Sequence, residues 1–599
     1  MSSVPERSDV DPEYKWDLES IYETDDDWEA AYDEVEQRLD ELTAYEGRLT
    51  EDGETLLSAL ELRDDIMREA KKIISYARMR SDEDTANQHY QALKSRSSSL
   101  SSKASSAASF MGPEIQELDG DELDRMLEST DGLETYDHYL HEVLRMAEHT
   151  RSAEVENVLA ELGEVTGASG DIYNMLLNAD LDFPTVEKPD GEGIEITQSN
   201  FTTLQKNPDR EFRRTVYEEF YDRLGEVHNT IGTAYKNNVK TDVKLARIHD
   251  YDTAREAAMD GPNVPVEVYD NLVDTVRDNL DKLHRHADLK RESLGVEELR
   301  MWDLYMPMTE TETPDVEYER AREYVVSALD ALGDDYQNRV KEGFESRWVD
   351  VYETANKRSG AYSSGTYDTQ PFILMNWQDD ISSMFTLAHE LGHSLHSQLT
   401  SENQPYVYGS YEIFVAEVAS TVNETLLTHH LLETVEDPTF RRHVLNEYLE
   451  RFRSTLYRQT MFADFEHRAH EVVEDGDALT PEKADEIYGD LKAEFYEPAV
   501  VGDRIAREWS RIPHFFNYSY YVYQYSTGMS AAVALADRIL EEGEPAVEDY
   551  LRFLQSGSRE YPLDLLEIAG VDMSSPEPIQ RALDVYDDHL NEMAALIRD

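Results

Sequence analysis

Five consecutive residues near the middle of the chain, His389-Glu390-Leu391-Gly392-His393, read HExxH. Positions four apart on an α-helix differ by about 40° around its axis, so the two imidazoles converge on one ion while Glu390 points near a water it can deprotonate. The chemistry such an arrangement would serve is metal-assisted hydrolysis. In a chain with 18 His among 599 residues, chance supplies this pattern about 0.06 times. Context therefore has to carry the assignment.

A catalytic zinc takes three protein ligands and keeps one position open. The chain has no Cys, so only imidazoles and carboxylates can hold a metal and no thiol can act as nucleophile. The residue ten positions after His389 is Leu399, not a histidine, and His396 would have to reach from the same helix, so it reads as a packing or supporting residue. In YEIFVAEVASTVNETLLTHHLLE, Glu417 follows His389 by 28 residues and lies on an apolar stripe with Phe414, Val418 and Leu426. A carboxylate in such a place calls for a partner, although an ordinary exposed helix Glu is the plainer alternative. Glu424, two turns on and on the same face, is placed to orient a ligating imidazole by a hydrogen bond. His467 and His470 with Glu471 give HxxHE and read as part of an exposed amphipathic helix. His284, His286, His429 and His430 read as surface residues.

Helical periodicity dominates the elements that must position these groups. Trp28, Ala31, Tyr32, Val35, Leu39 and Leu42 recur at three- and four-residue spacing behind the Asp25 to Asp27 cluster, which predicts a capped amphipathic helix. The Ser-rich stretch 94–110 lacks Gly and Pro and keeps Leu100, Ala104, Ala107 and Phe110 in helical register, so it reads as a small-residue helix rather than a linker. Asp182 to Val186 and Gly193 to Thr197 predict a short hairpin, with a helix starting near Ser199. Gly360 to Trp377, GAYSSGTYDTQPFILMNW, predicts one or two strands directly before the HExxH helix, with an edge to which an extended peptide can add at Gly360 and Ala361. Soft boundaries near 115 and 195 divide the chain into 1–115, 116–195 and 196–599.

Composition narrows the partners. The 127 Asp and Glu against 56 Lys and Arg leave a net charge of −71, which disfavours nucleic acid and anionic membrane surfaces. The 36 Tyr, 17 Phe and 6 Trp mark a folded protein. Only 16 of the basic residues are Lys, and the acidic residues are spread along the whole chain, a balance that resembles cytoplasmic proteins of salt-accumulating halophiles. There is no 18-residue apolar run, no phosphate-binding glycine loop and no cationic or apolar start, so a cytoplasmic protein without membrane spans or a nucleotide site is expected.

HELGH followed by Glu417-Val418-Ala419-Ser420 resembles the thimet oligopeptidase and oligoendopeptidase F family of zinc metallopeptidases. The likeness extends to KWDLESIY, YNMLLNADLDFPTVE, ITQSNFTTLQKNPDREFRR and IPHFFNYSYYVYQYSTG, which together span most of the chain. It implies a mainly α fold, a large helical body with a deep substrate channel and a small β-sheet beside the HExxH helix. It makes 116–195 a family-type N-terminal domain and 196–599 the catalytic domain. One zinc on His389, His393 and Glu417 is implied, with Glu390 as general base and Ser420 and Glu424 behind the ligands. His514 belongs to a Tyr-rich loop whose hydroxyls meet the oxyanion, Tyr523 first and Tyr521 next. Short peptides cut at internal bonds are the implied substrates. A helical zinc carboxypeptidase and a non-catalytic peptide-binding protein are the rival readings; single residues released from an end would mark the first, and Glu390 argues against the second.

Overall fold

The computed structural model describes residues 4–309 and 313–598. It is mainly α-helical, with one three-stranded sheet and one two-stranded ribbon among the described residues. The chain forms two compact units that each draw on distant stretches of sequence: 1–150, 315–430 and 535–570 in one, 151–314, 431–534 and 571–599 in the other.

In the first unit, α1 (Asp25–Thr43) opens on a capping box in which Thr24 and Asp27 bond each other's backbone N–H, and Asp25 to Asp27 complement the helix dipole. It buries the predicted stripe, Trp28, Tyr32, Val35, Leu39 and Leu42. α2 (Gly53–Glu83) is capped by Asp52, and α3 (Gln88–Ala108) is the helix expected of the Ser-rich stretch, burying Leu93, Ser97, Leu100, Ala104 and Ala107. Small side chains along that face let it lie close to its neighbours. The core formed by these helices also takes in Phe372 and Leu374.

Those two residues belong to the sheet: β1 (Val349–Tyr352), β2 (Tyr362–Ser364) and β3 (Phe372–Trp377), in the order β1-β3-β2. β3 pairs parallel with β1, and antiparallel with β2 in the register Tyr362↔Leu374, Ser363↔Ile373 and Ser364↔Phe372. Two strands are therefore present in 360–377, where one or two were expected, and β2 is an edge strand. β1 was not expected. α4 (Ile381–Asn403), capped by Asp380, carries HExxH, and α5 (Ile413–Thr434) carries Glu417 to Glu424.

The second unit holds the predicted hairpin, Thr185–Glu187 paired with Gly193–Glu195, and a short helix at Phe201–Leu204. Its core is aromatic, with Tyr235 stacked on Phe465 and Phe515 in contact with both. Within it are α6 (Arg458–Glu474) and the start of α7 (Tyr523–Glu542). The histidines read as surface residues are partly inside: His470 is buried with Nε2 3.2 Å from Asp242, and His286 is buried against the Tyr586 hydroxyl at 2.7 Å. Their helices carry a carboxylate or phenol partner from a distant segment, which helical periodicity does not reveal. Among the described residues no helix is long and apolar enough to cross a membrane.

Candidate metal centre

α4 and α5 meet at Gly392. A Cβ there would stand 2.5 Å from Ser420 Cα and 2.6 Å from the Ala419 carbonyl oxygen, closer than any real side chain tolerates. Glycine at this position lets the two helix backbones touch. Asn423 fixes the contact: its Nδ2 donates to the Ala388 carbonyl at 3.2 Å, and its Oδ1 accepts from the Tyr336 hydroxyl at 3.2 Å. Glu417, one turn before Ser420, is thereby brought to the two imidazoles of α4.

The three side chains form a small triangle. His389 Nε2 and His393 Nε2 are 3.2 Å apart, Glu417 Oε2 is 3.4 Å from the first and 3.7 Å from the second. Tetrahedral zinc with ligand bonds of about 2.0–2.1 Å has ligand–ligand edges of about 3.3–3.4 Å. Donor types and spacing both fit such an ion. These are the only His, Asp or Glu side chains that form a potential metal group among the described residues.

The surroundings hold the donors in their working form. Glu424, almost fully buried, bonds His389 Nδ1 at 2.7 Å, which leaves Nε2 with its lone pair toward the triangle. Burial alone would pull the His389 pKa down, but the charge and hydrogen bond of Glu424 reverse this and raise it. His393 is pulled down by burial and then by His389, and it donates to the Ala416 carbonyl. The Ser420 hydroxyl donates to Glu417, with 2.9 Å to its carbonyl and 3.2 Å to Oε2. Removing Glu424 frees the His389 ring, so Glu424→Ala is expected to weaken metal affinity about 10–100-fold, read by chelator competition; an unchanged affinity would deny it this role.

Glu390 is 7% exposed. Burial pushes its pKa up to about 7, opposed by His389 and by the backbone N–H of Ser363, which donates to its carboxylate. One turn on, Ser394 Oγ lies 2.9 Å from Ser363 Oγ, so α4 is riveted to the edge strand at two points. Gly360, at φ +85°, makes the turn into β2 and its carbonyl accepts from Asn376 Nδ2 at 2.8 Å; Ala361 follows it. A cleft of about 830 Å³ runs along this edge and is lined by Ser363 to Thr366, His393, Glu417, α2 and the loop 406–411. His396 faces elsewhere, stacked on Tyr411 at 3.7 Å and buried, so it packs as expected.

The other predicted site residues lie in the second unit. His514 stacks on Tyr521 at 5.9 Å, and its Nε2 is 3.3 Å from the Tyr525 hydroxyl. Tyr523 is buried against Tyr269 at 5.2 Å. Tyr520 between them has φ +53°, held by Glu466, which accepts its N–H at 2.8 Å. Residues missed from sequence are Gly392, Ser363, Ser394 and Asn423. Gly392 lay inside the motif, and a small residue facing a second helix was the available signal.

Two imidazoles one helical turn apart, a carboxylate from a touching helix and a buried carboxylate beside an open cleft define a metallopeptidase. Residues 203–585 match peptidase family M3 and residues 114–183 match the oligopeptidase F description. The chain belongs to peptidase family M3 and is a peptide-hydrolysing metallopeptidase. It is 43% identical to oligopeptidase PepF of Bacillus subtilis (strain 168), covering 100% of this chain and 89% of the relative. It is 38% identical to group B oligopeptidase PepB of Streptococcus agalactiae, over 99% and 98% of the two chains. Among solved structures, oligoendopeptidase-F from Enterococcus faecium is 36% identical with a TM-score of 0.75, covering 96% of this chain and 99% of that one. A crystal structure from Chlamydophila abortus, 31% identical, has a TM-score of 0.92 over 99% and 100%.

Proposed function

We propose that the protein is a zinc endopeptidase that cuts internal bonds of short peptides, with His389, His393 and Glu417 as metal ligands and Glu390 as general base. The observation that carries this reading is the donor triangle, whose 3.2, 3.4 and 3.7 Å edges suit zinc and two of whose members, His393 and Glu417, line a cleft along an edge strand. When bound, zinc supplies Lewis-acid polarisation of a carbonyl and lowers the pKa of water. Glu390 accepts the proton of the attacking water on its carboxylate and delivers it to the departing amine nitrogen. Ser363 N–H keeps that carboxylate aimed, and Glu424 keeps His389 in the tautomer that offers Nε2. The substrate backbone adds along β2 from Ala361 onward, which reads main chain rather than side chains and suits broad specificity.

The family resemblance further supports His514 and a hydroxyl of the Tyr-rich loop, Tyr523 first and Tyr521 next, as neutral hydrogen-bond donors to the oxyanion; His514 stacks on Tyr521, and its Nε2 lies 3.3 Å from the Tyr525 hydroxyl. Internal cleavage, rather than release of single terminal residues, is supported by the oligoendopeptidase name of the Enterococcus faecium structure. Metal analysis tests the assignment of ligands: about one zinc per chain is expected for the purified protein, and Glu417→Ala should lose most of it. Full zinc retention in that variant would remove Glu417 from the ligand set.

The net charge of −71 supports work in concentrated salt. At about 1 M salt the screening length falls to about 3 Å, which quenches repulsion among surface carboxylates. The thermal midpoint is expected to rise steadily from 0.1 to 2 M KCl (concentrations chosen to bring the screening length from about 10 Å to about 2–3 Å); a flat or falling midpoint would count against a halophilic protein.

A further inference from the structure

The cleft beside the metal site reverses the charge balance of the chain. Across the sequence carboxylates outnumber cations 127 to 56. Its lining has three cations on one face of α2, Arg63, Lys71 and Arg78, and two carboxylates, Asp64 and Glu417. Arg63 is spoken for, with Nη2 2.6 Å from Asp64 Oδ1. Glu417 is the third donor of the triangle.

Lys71 and Arg78 remain. Lys71 is exposed and has no ion pair or hydrogen bond among the described residues. Arg78 has no carboxylate partner either: its guanidinium lies over the Tyr362 ring at 5.4 Å, Nη2 donates to Ser364 Oγ at 2.5 Å, and its buried Nε has no acceptor. Both contacts are with β2, so Arg78 is anchored on the strand along which a peptide would lie. In a protein with more than two carboxylates for each cation, most other cations on this helix are paired: Arg63 with Asp64, Arg68 with Asp368, Lys72 with Glu69 and Arg80 with Glu83. Neither Lys71 nor Arg78 is neutralised by a carboxylate among the described residues, and both face the cleft.

Lys71 and Arg78 are seven residues apart, two turns on one helix face and about 10 Å along the axis. That is about three residues of extended peptide. We propose that Lys71 and Arg78 form a carboxylate-binding subsite of the cleft that holds a negatively charged group of the bound peptide, its C-terminal carboxylate or an acidic side chain. The inference rests on the reading of this cleft as the substrate site. A charge-assisted hydrogen bond in a half-buried groove is strong enough to select among peptides, and the selection should fall on binding because neither cation touches the reacting atoms.

The test is a set of internally quenched peptides of one sequence, prepared with a free or amidated C-terminus and with Glu or Gln at each position in turn, assayed at fixed KCl on wild type, Lys71→Met and Arg78→Met. The wild type is expected to favour one anionic form by about tenfold in kcat/KM, expressed in KM. That preference should collapse toward one in either variant. Loss on amidation identifies the C-terminal carboxylate, and loss on Glu-to-Gln exchange identifies a side chain. Lys71 is exposed, so its variant stays informative even if Arg78→Met folds poorly. Equal kcat/KM for all forms in the wild type, or a preference intact in Lys71→Met, would overturn the subsite while leaving the peptidase reading in place. Absence of metal-dependent cleavage of every peptide would overturn both.

Discussion

Metal-loaded Glu390→Gln is expected to hydrolyse peptide at about a thousandth of the wild-type rate or below, with its zinc content unchanged. A positioned general base contributes about 10²–10⁴ in rate, and glutamine can neither take the proton from water nor return it to the amine. The substitution is otherwise mild. Glutamine has the same shape, keeps an oxygen for the Ser363 N–H and removes a buried charge, so fold and metal triangle should persist. Steady-state rates beside zinc content per chain check this, and a variant that keeps more than a tenth of the wild-type kcat would assign the proton transfer elsewhere. The pH profile offers a second reading. Burial raises Glu390 to about 7 and a bound cation moves it down again, so the acid limb of kcat/KM should lie below about pH 7, with activity lost as the base is protonated.

Gly392→Ala is the second large effect. One methyl group at this position meets backbone on the facing helix at 2.5 and 2.6 Å, and backbone cannot rotate aside. Overpacking of this kind costs about 1–3 kcal/mol, and here the strain is relieved by moving α5 away from α4. That motion carries Glu417 off the imidazoles. A lower thermal midpoint is therefore expected together with a fall in metal affinity of about 10-fold or more, although no ligand has been changed. Chelator competition and thermal melts measure the two, and wild-type affinity in a folded Gly392→Ala protein would show that the helix contact does not set the triangle.

The site was legible to the extent that spacing along a helix encodes it. His389, His393 and Glu390 follow from one turn of α4, and Glu417 and Glu424 from their place on an apolar stripe of α5. The third strand was not legible because Asp350 interrupts its apolar run; Lys357 pairs with that buried carboxylate at 2.6 Å, and Arg7 at 2.5 Å comes from the far end of the chain. The same cause hid His470 and His286, whose partners Asp242 and Tyr586 are hundreds of residues away. Gly392 was in plain view, but only the approach of α5 shows why a side chain is forbidden there. That Lys71 and Arg78 lack a carboxylate partner is a property of their surroundings, and no count of charges exposes it.

The most direct test of the central claim is hydrolysis of an internally quenched peptide of about eight to ten residues, a length suited to extended binding along a strand edge, in molar KCl with products identified by mass. The account predicts an internal cut that chelator abolishes and zinc restores, and that Glu390→Gln removes while retaining its zinc. Cleavage that survives chelation or the Glu390→Gln change, or single residues trimmed from one end, would contradict it.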